Sequence, residues 1–211
     1  MTAPRWRSLR ATHCETIEAM PKKVDHQERR TLIADALMRV AADQGLEAVS
    51  LRHVAAAAGV SAGMVQHYFR TKDEMMAFAM AVVRERGQAR VTEALARLGE
   101  NPAPRLLLRT MIAALLPLDD RTRDDGRVAL AFLAYTAVRP ASATGLRADT
   151  MQLTSFIASV LPSGDTAEGA GLLALMEGLG VYLLGGQYTA EQALGALDAQ
   201  LDLLFGSSAA A

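Results

Sequence analysis

Between Leu51 and Phe69 two short helical patterns are separated only by Gly59, Val60 and Ser61, and that spacing constrains the fold more than any other stretch of the chain. Glycine tolerates the left-handed backbone that stops the first helix. Ser61 is a good N-cap, and Ser50 does the same for the preceding helix, which carries Leu51, Val54 and Ala58. Val60 is expected to plug the crevice between the two, with Val54, Val65 and Phe69 burying their inner faces. The outer face of the second helix is then Ala62, Gly63, Met64, Gln66 and His67. No acidic residue occurs from Leu51 to Lys72, so this face can enter a major groove without repelling phosphates. An ordinary helical corner is the alternative reading of the same pattern.

The rest of the chain also reads as helices. Ile33, Leu37, Val40 and Ala41 lie on one face of a first helix, and Gly45 offers its stop. Thr71 restarts the chain, Asp73 and Glu74 complement the positive end of a long helix, and that helix is expected to run to about Leu98. Beyond a break at Asn101–Pro104, helices are predicted over Leu106–Leu116, Val128–Val138, Ser142–Leu161, Thr166–Leu184 and Thr189–Phe205. Asp119–Gly126 is expected to be a polar loop, Pro162–Asp165 a turn, and Ser207–Ala211 a frayed end. Sustained period-two alternation is missing, and aromatic residues make up only 5% of the sequence. The predicted class is all-α: a three-helix helix-turn-helix domain followed by a larger helical domain. The expected boundaries are a disordered extension at 1–22, the helix-turn-helix unit at 23–72, and the second domain at 73–211.

Charge and cysteine usage narrow the classes further. Residues 1–86 carry 13 basic and 10 acidic side chains, residues 87–211 carry 9 and 13, so a polyanion would meet the front of the chain. The lone Cys14 cannot form an intrachain disulfide, which fits a reducing cytoplasm. The start of the chain lacks the apolar core of a signal peptide. The apolar stretch Gly169–Gly186 is interrupted by Glu177 and rich in glycine, so a membrane span is not expected.

The run from Leu51 to Glu74, with GVSAGMVQHYFRTKDE over residues 59–74, resembles the DNA-binding domain of TetR-family transcriptional regulators. Its His67-Tyr68-Phe69 version is similar to the BetI-like branch. The remainder matches in helix number, helix lengths and the EGLGVYLL stretch at residues 177–184. The resemblance implies a TetR-like fold and a repressor that binds a palindromic, double-stranded operator as a homodimer and is released by a small molecule. It implies phosphate contacts from Ser50, Tyr68 and Lys72, with Ser61 and Gly63 in the same DNA-facing segment. Base contacts would come from Ala62, Met64, Gln66 and His67. Gln66 suits adenine, His67 can donate to guanine, and the alkyl groups suit thymine methyls. Arg52 is a further phosphate or base candidate, with a solvated surface charge as the alternative. Members often begin just before the first helix, so Met20 is a candidate start. Arg5, Trp6, Arg7 and Arg10 are otherwise a disordered extension or an arm on DNA.

The back half is expected to pair and to sense. Leu172, Leu175, Leu179 and Leu183, and then Leu194, Leu197, Leu201 and Leu204, form stripes suited to a four-helix seam between two copies, or to the chain's own core. Gly178 and Gly180 would let a partner backbone come close. An apolar effector pocket would be lined by Met80, Met111, Leu115, Phe132, Tyr135, Met151, Phe156, Met176 and Tyr182, with Arg109 and Glu177 anchoring a polar end. Plain core packing is the competing account of each. A choline-like ligand is suggested by the BetI-like likeness, but the aromatic residues are too few for a convincing cage. No cofactor or metal is expected, and the chain is not expected to be an enzyme. The rival class is an all-helical magnesium enzyme using Asp119, Asp120, Asp124 and Asp125, with Arg121, Arg123 and Arg127 able to neutralise that cluster. His13 and Cys14 are read as incidental. An interaction module that binds no DNA is the third reading.

Overall fold

The computed structural model describes residues 22–45, 49–139 and 144–206, and every regular element among them is an α-helix. In chain order these are α1 (Lys22–Gln44), α2 (Leu51–Ala58), α3 (Ala62–Tyr68), α4 (Lys72–Ala96) and α5 (Pro104–Leu115). They continue with α6 (Asp120–Ala137), α7 (Thr144–Val160), α8 (Thr166–Leu184) and α9 (Ala190–Phe205). The proposed start at Met20, the arm with Arg5, Trp6, Arg7 and Arg10, the His13–Cys14 pair and the frayed Ser207–Ala211 lie outside the described residues.

Asp119–Gly126 is not the polar loop expected from the sequence. Its residues form the cap and first two turns of α6. The Asp119 carboxylate accepts from the Thr122 amide at 2.9 Å while the Thr122 hydroxyl answers the Asp119 amide at 3.2 Å. Those reciprocal bonds satisfy amides that a helix start leaves free. The polar, charged composition had masked a helix whose first turns are held by capping rather than by an apolar stripe.

Two apolar cores meet along α4. The first joins Ile33, Leu37 and Val40 of α1, Val54 of α2, Val65 of α3 and Met75, Met76 and Ala79 of α4, with Phe69 between the last two helices. Val128 and Phe132 of α6 close it from behind. The second joins α5, α7, α8 and α9 through Leu108, Ile112, Ile157, Leu172, Leu179, Leu197 and Leu201. At the α7–α8 crossing a Cβ added to Gly169 would lie 2.8 Å from the Thr154 carbonyl, so only glycine lets these backbones approach so closely. Among the described helices α8 alone is long and apolar enough to cross a bilayer. Its Leu172, Leu173, Leu179 and Leu183 are instead buried in the second core.

Candidate nucleic-acid interface and ligand cavity

The corner between α2 and α3 is built by its caps. Gly59 adopts φ 67°, and the amides of Gly59 and Val60 bond back to Ala56 and Ala55 at 3.2 and 3.0 Å. That arrangement ends α2 within one residue. The Ser61 hydroxyl accepts from the Met64 amide at 3.1 Å, and the Ser50 hydroxyl accepts from the His53 amide at 3.3 Å. Val54, Val65 and Phe69 are wholly buried and Val60 packs on them half-buried, as the sequence spacing requires. Ser61, Ala62, Gly63, Met64, Gln66 and His67 all face outward, as do Ser50 and Arg52. Tyr68, the last residue of α3, and Lys72, the first of α4, are half-buried. The candidate DNA-facing residues are therefore exposed or half-buried, with no carboxylate between Leu51 and Lys72.

The next joint ties that surface to the rest of the molecule. The Thr71 hydroxyl caps α4 through the Glu74 amide at 3.1 Å, and Glu74 accepts from the Arg70 amide at 2.9 Å. At the far end of α6 the Tyr135 hydroxyl donates to the Asp73 carboxylate. Burial, and then that bond to Asp73, raises the Tyr135 phenol above its ordinary range. Arg139 stacks on its ring at 4.3 Å. Tyr135 was expected in the effector pocket; it serves as a strut between α6 and the start of α4.

A cavity of about 550 Å³ lies between the two cores, walled by α4, α5, α6, α7 and α8. Of the residues expected to line it, Met80, Met111, Leu115, Phe156, Met176 and Glu177 do so. Phe132 belongs to the first core instead. Met151 is 71% exposed on the outer side of α7 and lies outside the lining. Tyr182 is also exposed, with its ring 5.0 Å from that of Tyr188. Helical spacing identified these as apolar positions but could not say which face each would present. Glu177 belongs to the cavity lining and is exposed to solvent. Apolar neighbours nonetheless crowd it enough for burial to raise its carboxyl pKa.

Sequence reasoning missed the most connected ionic group beside this cavity. Asp125 of α6 is a buried carboxylate that meets Arg90 at 2.7 Å and Arg86 at 3.3 Å, both on α4. Arg86 also reaches Asp35 of α1 at 2.6 Å, while Arg90 donates through Nε to the Ala114 carbonyl of α5 at 3.2 Å. Arg90 and Asp125 line the cavity, so one charged network joins its wall to α1, α4, α5 and α6. The available signal was the four-residue spacing of Arg86 and Arg90 on α4, which places both on one helix face. The proposed magnesium cluster is dispersed by the same geometry: Asp119 caps, Asp124 pairs with Arg127 at 3.0 Å, and Asp125 holds α4. Among the described residues no three metal-ligating side chains come together.

Arg109 was expected to anchor a ligand, and it is already occupied. It makes a two-pronged bond to Asp198 of α9, at 2.6 and 3.0 Å, outside the cavity lining. Hydrogen bonding from Arg109 holds the Asp198 carboxyl below its usual range. A depressed carboxylate stabilises the fold above its unfolded pKa of about 4, and that contribution disappears as pH falls through the lower folded value. Asp198→Asn is therefore expected to cost about 1 kcal/mol near neutrality, the pair being only two-thirds buried. Urea unfolding at about pH 7 and again at about pH 3 should show the gap between variant and parent closing in acid.

The leucine stripes expected at a dimer seam face inward. Leu172, Leu179, Leu183, Leu197 and Leu201 are at most 2% exposed within a single chain, because they form the second core. A partner cannot reach them. Leu175, Leu194 and Leu204 are half-buried against the same core. The outward faces of α8 and α9 present Gly171, Ala174, Tyr182, Gly195, Ala199 and Leu203. Gly180, expected to admit a partner backbone, turns inward to the cavity wall.

The chain is similar to known proteins over most of its length. Residues 33–79 match the family model for bacterial regulatory proteins of the tetR family, and residues 104–206 match that for the C-terminal part of BetI-type transcriptional repressors. The HTH-type transcriptional regulator BetI of Burkholderia thailandensis is 31% identical over 198 residues, covering 90% of this chain and all of the relative. The regulator PksA of Bacillus subtilis is 37% identical over 116 residues, 55% of either chain. A crystal structure of a transcriptional regulator from a Rhodococcus species superposes with a TM-score of 0.75 at 34% identity. It covers 83% of this chain and 95% of the other.

Proposed function

We propose, for a chain that belongs to the TetR family of bacterial transcriptional regulators, that it acts as a cytoplasmic repressor, binding a palindromic operator as a homodimer until a small apolar effector fills its cavity. The observation that carries this reading is the outward, acid-free face of α3, set on a buried frame by the Gly59 and Ser61 caps. Gln66 and His67 are the hydrogen-bonding groups for base edges there, with Ala62 and Met64 supplying apolar contact. Ser50, Ser61, Tyr68 and Lys72 ring this face and suit phosphates, with Arg52 beside them.

Two copies are needed because one short helix reads few base pairs, and two-fold pairing doubles the contact. The outward strip on α8 and α9 suits that pairing better than the buried leucines. Gly171, Gly178 and Gly195 each have open space where a Cβ would stand, so nothing inside the protomer calls for glycine. A helical glycine costs up to about 1 kcal/mol relative to alanine, a cost that a close partner backbone would offset. The effector reading rests on α4. Its Met80, Val83, Gly87 and Val91 line the cavity, and its first turn is bonded to the end of α3 through Glu74 and Arg70. A ligand that shifts α4 would move α3 with it, and differential affinity of this kind is worth about 1–3 kcal/mol.

The test begins with duplexes selected from a randomised library on the purified full chain. A dimeric sedimentation coefficient and recovery of an inverted repeat, with half-sites about 10 base pairs apart or a small multiple of that, support the reading. Recovery of no duplex at low salt would overturn it.

A further inference from the structure

We propose that the cavity selects a lipophilic amine in its protonated form, with an apolar body among the core-facing side chains and an ammonium group donating N–H bonds to Glu177. The inference deepens the effector reading above and rests on it. The lining holds five ionisable side chains, Arg84, Arg90, Asp125, Asp149 and Glu177. Four of them are matched: Arg84 meets Asp149 at 3.0 Å, and Arg90 meets Asp125 at 2.7 Å. Glu177 has neither a hydrogen bond nor an ion pair among the described residues, so the lining carries one uncompensated negative charge. The apolar part of the same lining includes Met80, Met111, Leu115, Leu130, Phe156 and Met176.

Water is a poor match for most of this surface, and a carboxylate beside it lacks a counter-charge. Burial already penalises the ionised form of Glu177. An arriving cation whose apolar body fills the lining pairs with Glu177 beside a surface of low polarity, and gains more there than beside a carboxylate in open water. A neutral alcohol leaves the charge unpaired, and a carboxylate ligand adds a second negative charge. The two arginines that would welcome an anion are already bonded. A quaternary ammonium carries no N–H donor and gains its affinity from several ring faces. Phe156 is the single aromatic side chain in the lining. The geometry thus favours an ammonium that can make charge-assisted hydrogen bonds.

Calorimetric titration of the full chain with octylamine, octyltrimethylammonium, 1-octanol and octanoate tests this, using the parent protein and Glu177→Gln. In the parent, octylamine should bind at least about tenfold tighter than 1-octanol or octyltrimethylammonium, with octanoate weakest. Glu177→Gln should bring octylamine to within about twofold of 1-octanol, and continued binding of 1-octanol by the variant reports an intact cavity. Octylamine affinity should fall on acidification as Glu177 takes up a proton, while that of 1-octanol stays level. Equal binding of octylamine and 1-octanol by the parent, or an amine preference that survives Glu177→Gln, overturns the proposal. Leu130→Trp, which fills the cavity, separates the two levels of argument. If 1-octanol binds and this variant blocks it, the cavity is a ligand site whatever the charge preference. If no octyl probe binds the parent, the proposal and the effector reading fall together.

Discussion

Gly63→Glu is expected to lose operator affinity by at least about 100-fold while melting within about 2 °C of the parent. The two halves of that expectation come from opposite demands on one position. Gly63 is the second residue of α3, and a Cβ placed on it would have only the Ser61 hydroxyl nearby, at 3.9 Å. Its φ lies outside the left-handed region, so a larger residue brings no backbone strain. An acid in the first turn also complements the helix dipole and replaces a poor helix former. The protein uses that device at α4, α6, α8 and α9, which carry Asp73, Glu74, Asp120, Glu168 or Glu191 in their first turns. Neither α2 nor α3 carries one. Stability alone would favour an acid at Gly63; a phosphate backbone close by would not. Fluorescence anisotropy with a selected duplex, alongside thermal unfolding, reads both quantities. Gly63→Gln has nearly the same bulk without the charge and should lose much less affinity, with a weaker dependence on salt. A glutamate variant that still binds as tightly as the parent would remove α3 from the interface.

How far the amino-acid pattern went differs between the two ends of the molecule. The α2–α3 corner was legible because local chemistry determines it. Gly59 needs its positive φ, Ser50 and Ser61 cap within three residues, and Val54, Val65 and Phe69 fall at helical spacing around them. Family likeness then assigned roles to a surface that the pattern had already drawn. The sensor half was legible as helices but not as faces. Leu172 and Leu197 satisfy an apolar stripe equally well whether the stripe meets a partner or the chain's own α5 and α7. The choice depends on tertiary packing that spacing does not encode. Phe132 and Tyr135 share an apolar helix with the cavity-lining Ala129 and Leu130, yet they point one turn further along, into the first core and toward Asp73. The ion pairs were the hardest to foresee. Arg109 and Asp198 are 89 residues apart, and Arg90 and Asp125 are 35 apart. A charge of either sign is normally solvated, and nothing local marks these as partners.

Asp125→Asn is expected to lower stability by about 2–3 kcal/mol, or roughly 5–10 °C in melting temperature, and to weaken the response of operator binding to a cavity ligand. Removing one member of a fully buried pair costs more than that. Here Arg86 is nearly half exposed and Arg90 somewhat over a quarter exposed, so solvent screens part of the loss. The second effect follows from what the carboxylate joins. Its two oxygens hold two arginines of α4, one of which reaches on to Asp35 of α1, while Asp125 and Arg90 both face the cavity. On the proposed effector reading, a ligand pressing on that wall would displace α4 and α6 against a shared charge, and Arg86 would pass the displacement to α1. Stability and coupling can be separated by replacing the Arg90–Asp125 pair with apolar residues. Arg90→Met with Asp125→Leu removes the buried charge together with one partner, and should recover much of the stability lost in Asp125→Asn. It should not recover the ligand response, because Arg86 then holds Asp35 alone and α6 is no longer tied to it. Urea unfolding gives the first quantity, and operator anisotropy with and without 1-octanol gives the second. A double variant that regains both would show that the network serves only to hold the helices together, and the route from cavity to α3 would then run through the apolar contacts of α4 alone.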